Sequence, residues 1–134
     1  MNNNEHPWSF ISGSYQLANK AVGDVLAESD PLPPGFIGVM RDSAIIFTTA
    51  GGAVHLRIKH RSGSAYPVSA DFSSSATGLN AIMTGSGDTL QIVVVTQNAS
   101  GVIAVNLHGG LQENTISAKM KELNKNIPVL EVGI

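Results

Sequence analysis

The chain has 134 residues, no cysteine, a formal net charge of −2, and only 13% Asp, Glu, Lys or Arg. That length fits one domain, expected to bury about two-thirds of its unfolded surface. The missing cysteines exclude disulfides and thiolate chemistry, and the near-neutral charge supplies no field to draw in nucleic acid or an anionic membrane.

Residues 1–13 read as an N-terminal arm ahead of a single β-rich domain over 14–134. Asn2-Asn3-Asn4 is polar, Pro7 restrains the backbone, and Trp8, Phe10 and Ile11 form a small apolar cluster. Trp8, the single tryptophan, is a candidate anchor on the chain's own core or on a neighbouring subunit. Between 14 and 29 the pattern supports both helix and strand. Tyr15, Ala18, Val22 and Val25 recur at helical spacing, while Gly23 opposes a helix interior. The three prolines between Asp30 and Gly35 end any regular element.

From Phe36 onward the reading is β. Phe36–Met40 and Ala44–Thr48 are apolar runs with a turn expected at Arg41-Asp42-Ser43 between them, and Ala50-Gly51-Gly52 is the next turn. Val54, Leu56 and Ile58 then alternate with His55, Arg57 and Lys59, the pattern of a half-buried strand. A strand is expected from Ala65 to Phe72 with Pro67 at its start or on a sheet edge. Further strands are expected at Leu79–Met83, Thr89–Thr96 and Val102–Leu107. The turn at Asn98–Gly101 reads as a hairpin, and Gly109-Gly110 as the stop of the last long strand. Ile116, Met120 and Leu123 predict an amphipathic helix over about 114–126, and Val129–Val132 a terminal strand within about 128–133. The expected fold is mostly β, an antiparallel β-sandwich or barrel with one C-terminal helix.

No catalytic constellation is legible. His6, His55, His60 and His108 show no metal-ligand spacing, so no metal is expected. No serine sits in a Gly-x-Ser-x-Gly elbow, and Gly85-Ser86-Gly87-Asp88-Thr89 lacks the Lys-Ser/Thr pair of a phosphate loop. The chain is therefore expected to be no enzyme and to need no cofactor. The one local asymmetry is cationic: His55, Arg57 and Lys59 share a strand face, with Arg41 and Arg61 in nearby turns. Together with Trp8, the residues Arg41, His55, Arg57 and Lys59 are the candidate partner contacts. The alternative is a solvated face that discourages edge pairing. No aromatic platform accompanies these cations, so nucleic acid is not an expected ligand. Met1–Glu5 carries no positive charge and no apolar run follows it, so neither a secretory signal nor a membrane span is expected.

Sparse charge suits a surface partly covered by other subunits, because charged groups are depleted at interface cores. The order of features from Ser29 to Met83 points the same way. Asp30-Pro31-Leu32-Pro33 leads into Gly35-Phe36-Ile37-Gly38-Val39, then Ala44–Leu56 through Gly51-Gly52. Gly63-Ser64-Ala65-Tyr66-Pro67-Val68 and Ala76-Thr77-Gly78-Leu79 follow. This resembles small tailed-phage virion structural proteins, including the head spike-base and decoration-like proteins also found in gene transfer agents. Residues 84–134 lie outside the pattern. The resemblance implies a non-catalytic virion protein, assembled in the host cytoplasm, that forms a homo-oligomer and docks on capsid or tail proteins. The competing expectation is a carbohydrate-binding β-domain, which would want exposed aromatics.

Overall fold

The computed structural model describes residues 5–114. Eight strands run through them: β1 Glu5–Gln16, β2 Val25–Glu28, β3 Phe36–Thr49, β4 Ala53–Lys59, β5 Ala65–Pro67, β6 Ala76–Met83, β7 Thr89–Thr96 and β8 Val102–Glu113. They form two antiparallel four-stranded sheets, a first in the order β1-β8-β3-β6 and a second in the order β2-β7-β4-β5.

That order has a simple origin. The first strand pairs with the eighth, the second with the seventh, the third with the sixth and the fourth with the fifth. The chain is one long antiparallel ribbon with its tip at β4–β5, folded over so that its two halves close into two sheets through β3–β8 and β4–β7. This is jelly-roll connectivity, one of the ways an all-β chain limits open sheet edges.

The sheets share one core. Phe10, Ile45, Ile103, Val105 and Leu107 of the first sheet pack with Val54, Leu56, Ile58, Leu90 and Ile92 of the second, all buried. Each such side chain contributes about 1.5–3 kcal/mol by leaving water. On β4, Val54, Leu56 and Ile58 point inward and His55, Arg57 and Lys59 outward, as the alternation predicts. Pro67 lies on the edge strand β5, where its missing N–H interrupts no ladder.

Several expectations change. Residues 5–13, read as part of an arm, are the first half of β1, paired with β8 along its length. A bulge between Ser9 and Ile11 adds one residue to β1, which lets the consecutive Phe10 and Ile11 both enter the core. Residues 14–28 hold no helix: β1 ends at Gln16, turns follow, and β2 begins at Val25. Val22, placed on the possible helix face, is exposed. The strand expected over Ala65–Phe72 shrinks to β5 plus one isolated bridge between Val54 and Phe72.

The turn expected at Arg41-Asp42-Ser43 is instead a bulge inside the continuous β3. Asp42 takes a left-handed φ of 46° there. The buried Ser43 hydroxyl repairs the ladder, accepting from the His108 N–H at 2.9 Å and lying 3.1 Å from the His108 carbonyl as donor. Gly109-Gly110 does not stop β8, which runs on to Glu113. These glycines mark close approach: a Cβ at Gly109 would strike the Val39 carbonyl oxygen, and one at Gly110 the Glu5 carboxylate.

The turn at Ala50–Gly52 and the turn at Asn98–Gly101 close no hairpins. Each carries the chain from one sheet to the other. Gly52, at φ 79°, sits where a Cβ would strike Leu17. The helix expected over about 114–126 and the terminal strand over about 128–133 fall outside the described residues, apart from Asn114, which lies beyond β8 and donates its N–H to the Gly35 carbonyl at 2.8 Å.

Candidate interaction faces

The sandwich presents two outer faces of opposite character. On the second sheet, β4 turns His55, Arg57 and Lys59 outward, and neighbouring strands answer them. Arg57 Nε donates to Gln91 Oε1 at 2.7 Å; Gln91 Nε2 in turn donates to Glu28 Oε2 at 2.7 Å, and Thr89 Oγ1 donates to the same oxygen at 2.6 Å. The Thr89 and Gln91 hydrogen bonds, helped by nearby Lys59 and Arg57, hold the Glu28 carboxyl below its ordinary value of 4.5 against a partial burial that opposes them. His55 Nδ1 lies 3.2 Å from Asp71 Oδ1. The cationic row is thus matched by Glu28 and Asp71. Beneath it Gln91 and Val93 are buried although they point away from the core, and with Val93 buried on that side the apolar run 92–95 does not alternate.

The first sheet differs. Its inward residues on β8 are Ile103, Val105 and Leu107, so Val102, Ala104 and Asn106 face out. Register places Gln16 beside Val102, Ser14 beside Ala104 and Ser12 beside Asn106 on one flank. On the other flank Ile46 lies beside Ala104 and Ala44 beside Asn106. These eight positions on three strands therefore form a continuous patch of Ser, Gln, Ala, Val, Asn and Ile without a single Asp, Glu, Lys or Arg. Ile46, on its β3 flank, is 37% exposed.

The other candidate contacts are placed as follows. Trp8, on β1 opposite Gly109, is half-buried and packs against the core. Arg41 is on β3 of the first sheet, not in a turn beside the β4 cations; it pairs with Glu5 across β8. Its hydrogen bond lowers the Glu5 carboxyl against desolvation, with Gln112 assisting. The structure thus groups His55, Arg57 and Lys59 and separates Trp8 and Arg41 from them. The uncharged face had no local signal, because it is assembled from three strands far apart in sequence.

Among the described residues no group of three or more His, Asp or Glu is placed to hold a metal ion. His60 Nδ1 lies 2.9 Å from Oδ2 of the buried Asp88, tying the end of β4 to the β6–β7 turn. A hollow of about 390 Å³ at the β1–β2 and β7–β8 loops is lined by Asn19, Lys20, Ala21, Gln97, Asn98 and Ala99. The Asn98 Oδ1 accepts from the Ser100 and Gly101 N–H groups, so its acceptor is committed to the loop. Among the described residues no helix is long and apolar enough to cross a membrane.

No protein-family model matches the chain, and no curated protein matches it in sequence. Among solved structures it is similar to a chain described as the structure of infectious bursal disease virus, Gt strain, at 14% identity and a TM-score of 0.39. The likeness covers 82% of this chain and 33% of that one, so this chain spans about a third of its neighbour's length.

Proposed function

We propose that the chain is a non-catalytic structural subunit of a virion, working by self-association and by docking on another protein of the same particle. The observation that carries this reading is the charge-free patch on the outer face of the first sheet, from Ser12 through Ala104 and Asn106 to Ile46, beyond the Arg41–Glu5 pair at the other end of the same sheet. A face left to water gains solubility from charge, whereas the core of an interface is depleted of it. The sheet beneath is the longer-stranded of the two, with strands of 12, 14 and 12 residues over that face. Jelly-roll connectivity is found in capsid domains, and also in lectins and cupins, so the face and not the fold decides. Spike base, capsid decoration and tail component are the positions such a subunit can fill.

The carbohydrate-binding alternative gains no support from the aromatic side chains. Of the seven, Tyr66 alone is strongly exposed, and its ring packs 5.1 Å from the His60 imidazole.

The test is size-exclusion chromatography with light scattering on the purified chain, with negative-stain microscopy of what elutes. An oligomer that Ala104→Lys breaks down is the expected result, since a lysine there would put a charge at the centre of the face. A stable interface buries about 1,200–2,000 Å². A clean monomer at high concentration would overturn the reading.

A further inference from the structure

The outer face of the second sheet carries its charges in columns. Register sets Glu28 of β2, Gln91 of β7 and Arg57 of β4 in one row across three neighbouring strands. The next row holds Thr89 and Lys59. The Ser29 N–H reaches the Leu90 carbonyl at 2.8 Å, which carries the β2–β7 pairing one residue further and brings the exposed Asp30 level with that row. On the other side of Glu28 a third row runs Val25, Val93, His55. The β2 column is therefore acidic at Glu28 and Asp30, and the β7 column is uncharged. The β4 column is cationic at Arg57 and Lys59, with Asp71 offsetting His55.

These charges are not spent within one copy. Gln91 stands between Glu28 and Arg57, so the two do not touch. Arg57 hydrogen-bonds through Nε and Glu28 through Oε2, which leaves the terminal nitrogens of Arg57 and Oε1 of Glu28 open among the described residues. Asp30 and Lys59 are exposed and form no ion pair among the described residues. Val25, at the edge of the acidic column, is 39% exposed. An uncharged middle between charged flanks is the arrangement of an interface whose rim is polar.

We infer that this face is a contact between two copies of the chain, stacked face to face about a two-fold axis running along β7. Rotation about that axis keeps every row at its own level and exchanges the β2 side for the β4 side. Glu28 of each copy then stands over Arg57 of the other, and Asp30 over Lys59. Each pairing occurs twice, as an isologous contact requires. An axis across the strands would instead set β2 over β2 and acid over acid, which like-charge repulsion disfavours. A second copy is the occupant because it carries the complementary columns at the same spacing. Such complementarity fixes orientation and register more than affinity. The face is small, with 4, 7 and 8 residues in β2, β4 and β7, so the pair forms at high protein concentration and weakens with salt. The inference rests on self-association as read above, but it uses the opposite side of the sandwich: this face gives pairs, and the first-sheet patch joins pairs into larger assemblies.

The two surfaces are separable by experiment. In the full chain, Ala104→Lys disables the first-sheet patch and leaves this face intact. Light scattering at high concentration and low salt is expected to show a dimer. It should dissociate as ionic strength rises towards about 1 M, where the screening length falls to about 3 Å. Adding Asp30→Lys or Lys59→Glu to that chain is expected to give a monomer, because each sets like charges over one another twice. Both positions are exposed, and circular dichroism checks the fold. An equimolar mixture of the two charge-reversed chains is expected to recover the dimer, because both contacts between unlike copies again join opposite charges. Damage confined to one copy would not be mended by mixing. An Ala104→Lys chain that stays monomeric under these conditions would overturn this contact while leaving the first-sheet reading standing. A dimer indifferent to both reversals would also overturn it, as would a mixture that stays monomeric. An unsubstituted chain no larger than a salt-sensitive dimer would instead support this contact and count against the first-sheet patch.

Discussion

Arg41 on β3 and Glu5 on β1 form an ion pair and hydrogen bond across the intervening strand β8, over the backbone of Gly109 and Gly110. Two strands that never pair are thereby tied, because the strand between them carries no side chain at the crossing. The glycines are not equivalent. A Cβ at Gly109 would meet the carbonyl oxygen of Val39, which belongs to the β3 backbone and cannot swing aside, while one at Gly110 meets the Glu5 side chain, which can. Gly109→Ala is therefore expected to cost about 1–3 kcal/mol, the range for overpacking a fitted site. Gly110→Ala should cost less and act by displacing Glu5 from Arg41. Urea unfolding of both variants checks the ranking, and equal midpoints would refute it.

Ser43 replaces a piece of ladder. Where β3 bulges, its hydroxyl accepts the His108 N–H at 2.9 Å and sits 3.1 Å from the His108 carbonyl, at a fully buried position. Ser43→Ala removes that partner without creating much space, leaving the partly buried His108 N–H without its acceptor. The expected loss is about 1–3 kcal/mol. Exchange of the His108 amide should speed up in the same variant; an unchanged rate would mean that the hydroxyl is not what protects it.

What was legible in the sequence follows from range. The alternation in Val54–Lys59 places β4 and its inward and outward residues correctly, and Thr89–Thr96 matches β7, because side-chain period and turn residues are local properties. Arg41-Asp42-Ser43 is as polar as a turn, and only the buried partner on β8 makes it a bulge. Gly109-Gly110 looks like a stop because nothing nearby in sequence reveals that Val39 and Glu5 press on the strand. The turns at Ala50–Gly52 and Asn98–Gly101 have hairpin composition, yet pairing is decided by distant strands, and among the described residues, of the turns joining consecutive strands, only the one at His60–Ser64 closes a ladder. The candidate face shows the same divide. Low charge was visible in the composition, but that Ser12, Asn106 and Ala44 lie side by side is a fact of register alone.

Acid should weaken the fold through two carboxylates. Glu28 is lowered by its hydrogen bonds from Thr89 and Gln91, and Glu5 by the hydrogen bond from Arg41, each starting from an ordinary value of 4.5. A lowered folded-state value means the unfolded chain binds more protons over the interval between the two values. The stabilisation is therefore present above 4.5 and lost as pH falls through the lowered values. Denaturant midpoints should fall steadily below about pH 5. Glu28→Gln and Glu5→Gln should each make that fall shallower, and a slope unchanged in both variants would assign acid sensitivity to other groups.

Asn98 fastens the β7–β8 turn from within. Its Oδ1 accepts from the Ser100 N–H at 2.7 Å and the Gly101 N–H at 3.0 Å, with the Ser100 hydroxyl at 3.0 Å. The next bond in the chain of support runs from the Leu17 N–H to the Gly101 carbonyl at 2.9 Å, so the loop also seats the buried Leu17 just past β1. A side chain that only filled space there would tolerate any residue of similar volume; an acceptor would not. Asn98→Ala is expected to lose about 1 kcal/mol, since water reaches the exposed Ser100 amide and limits the cost. Asn98→Asp keeps the acceptor and should recover most of that loss, and Asn98→Leu should not. If leucine rescued stability as well as aspartate did, the turn would be held by packing rather than by these hydrogen bonds.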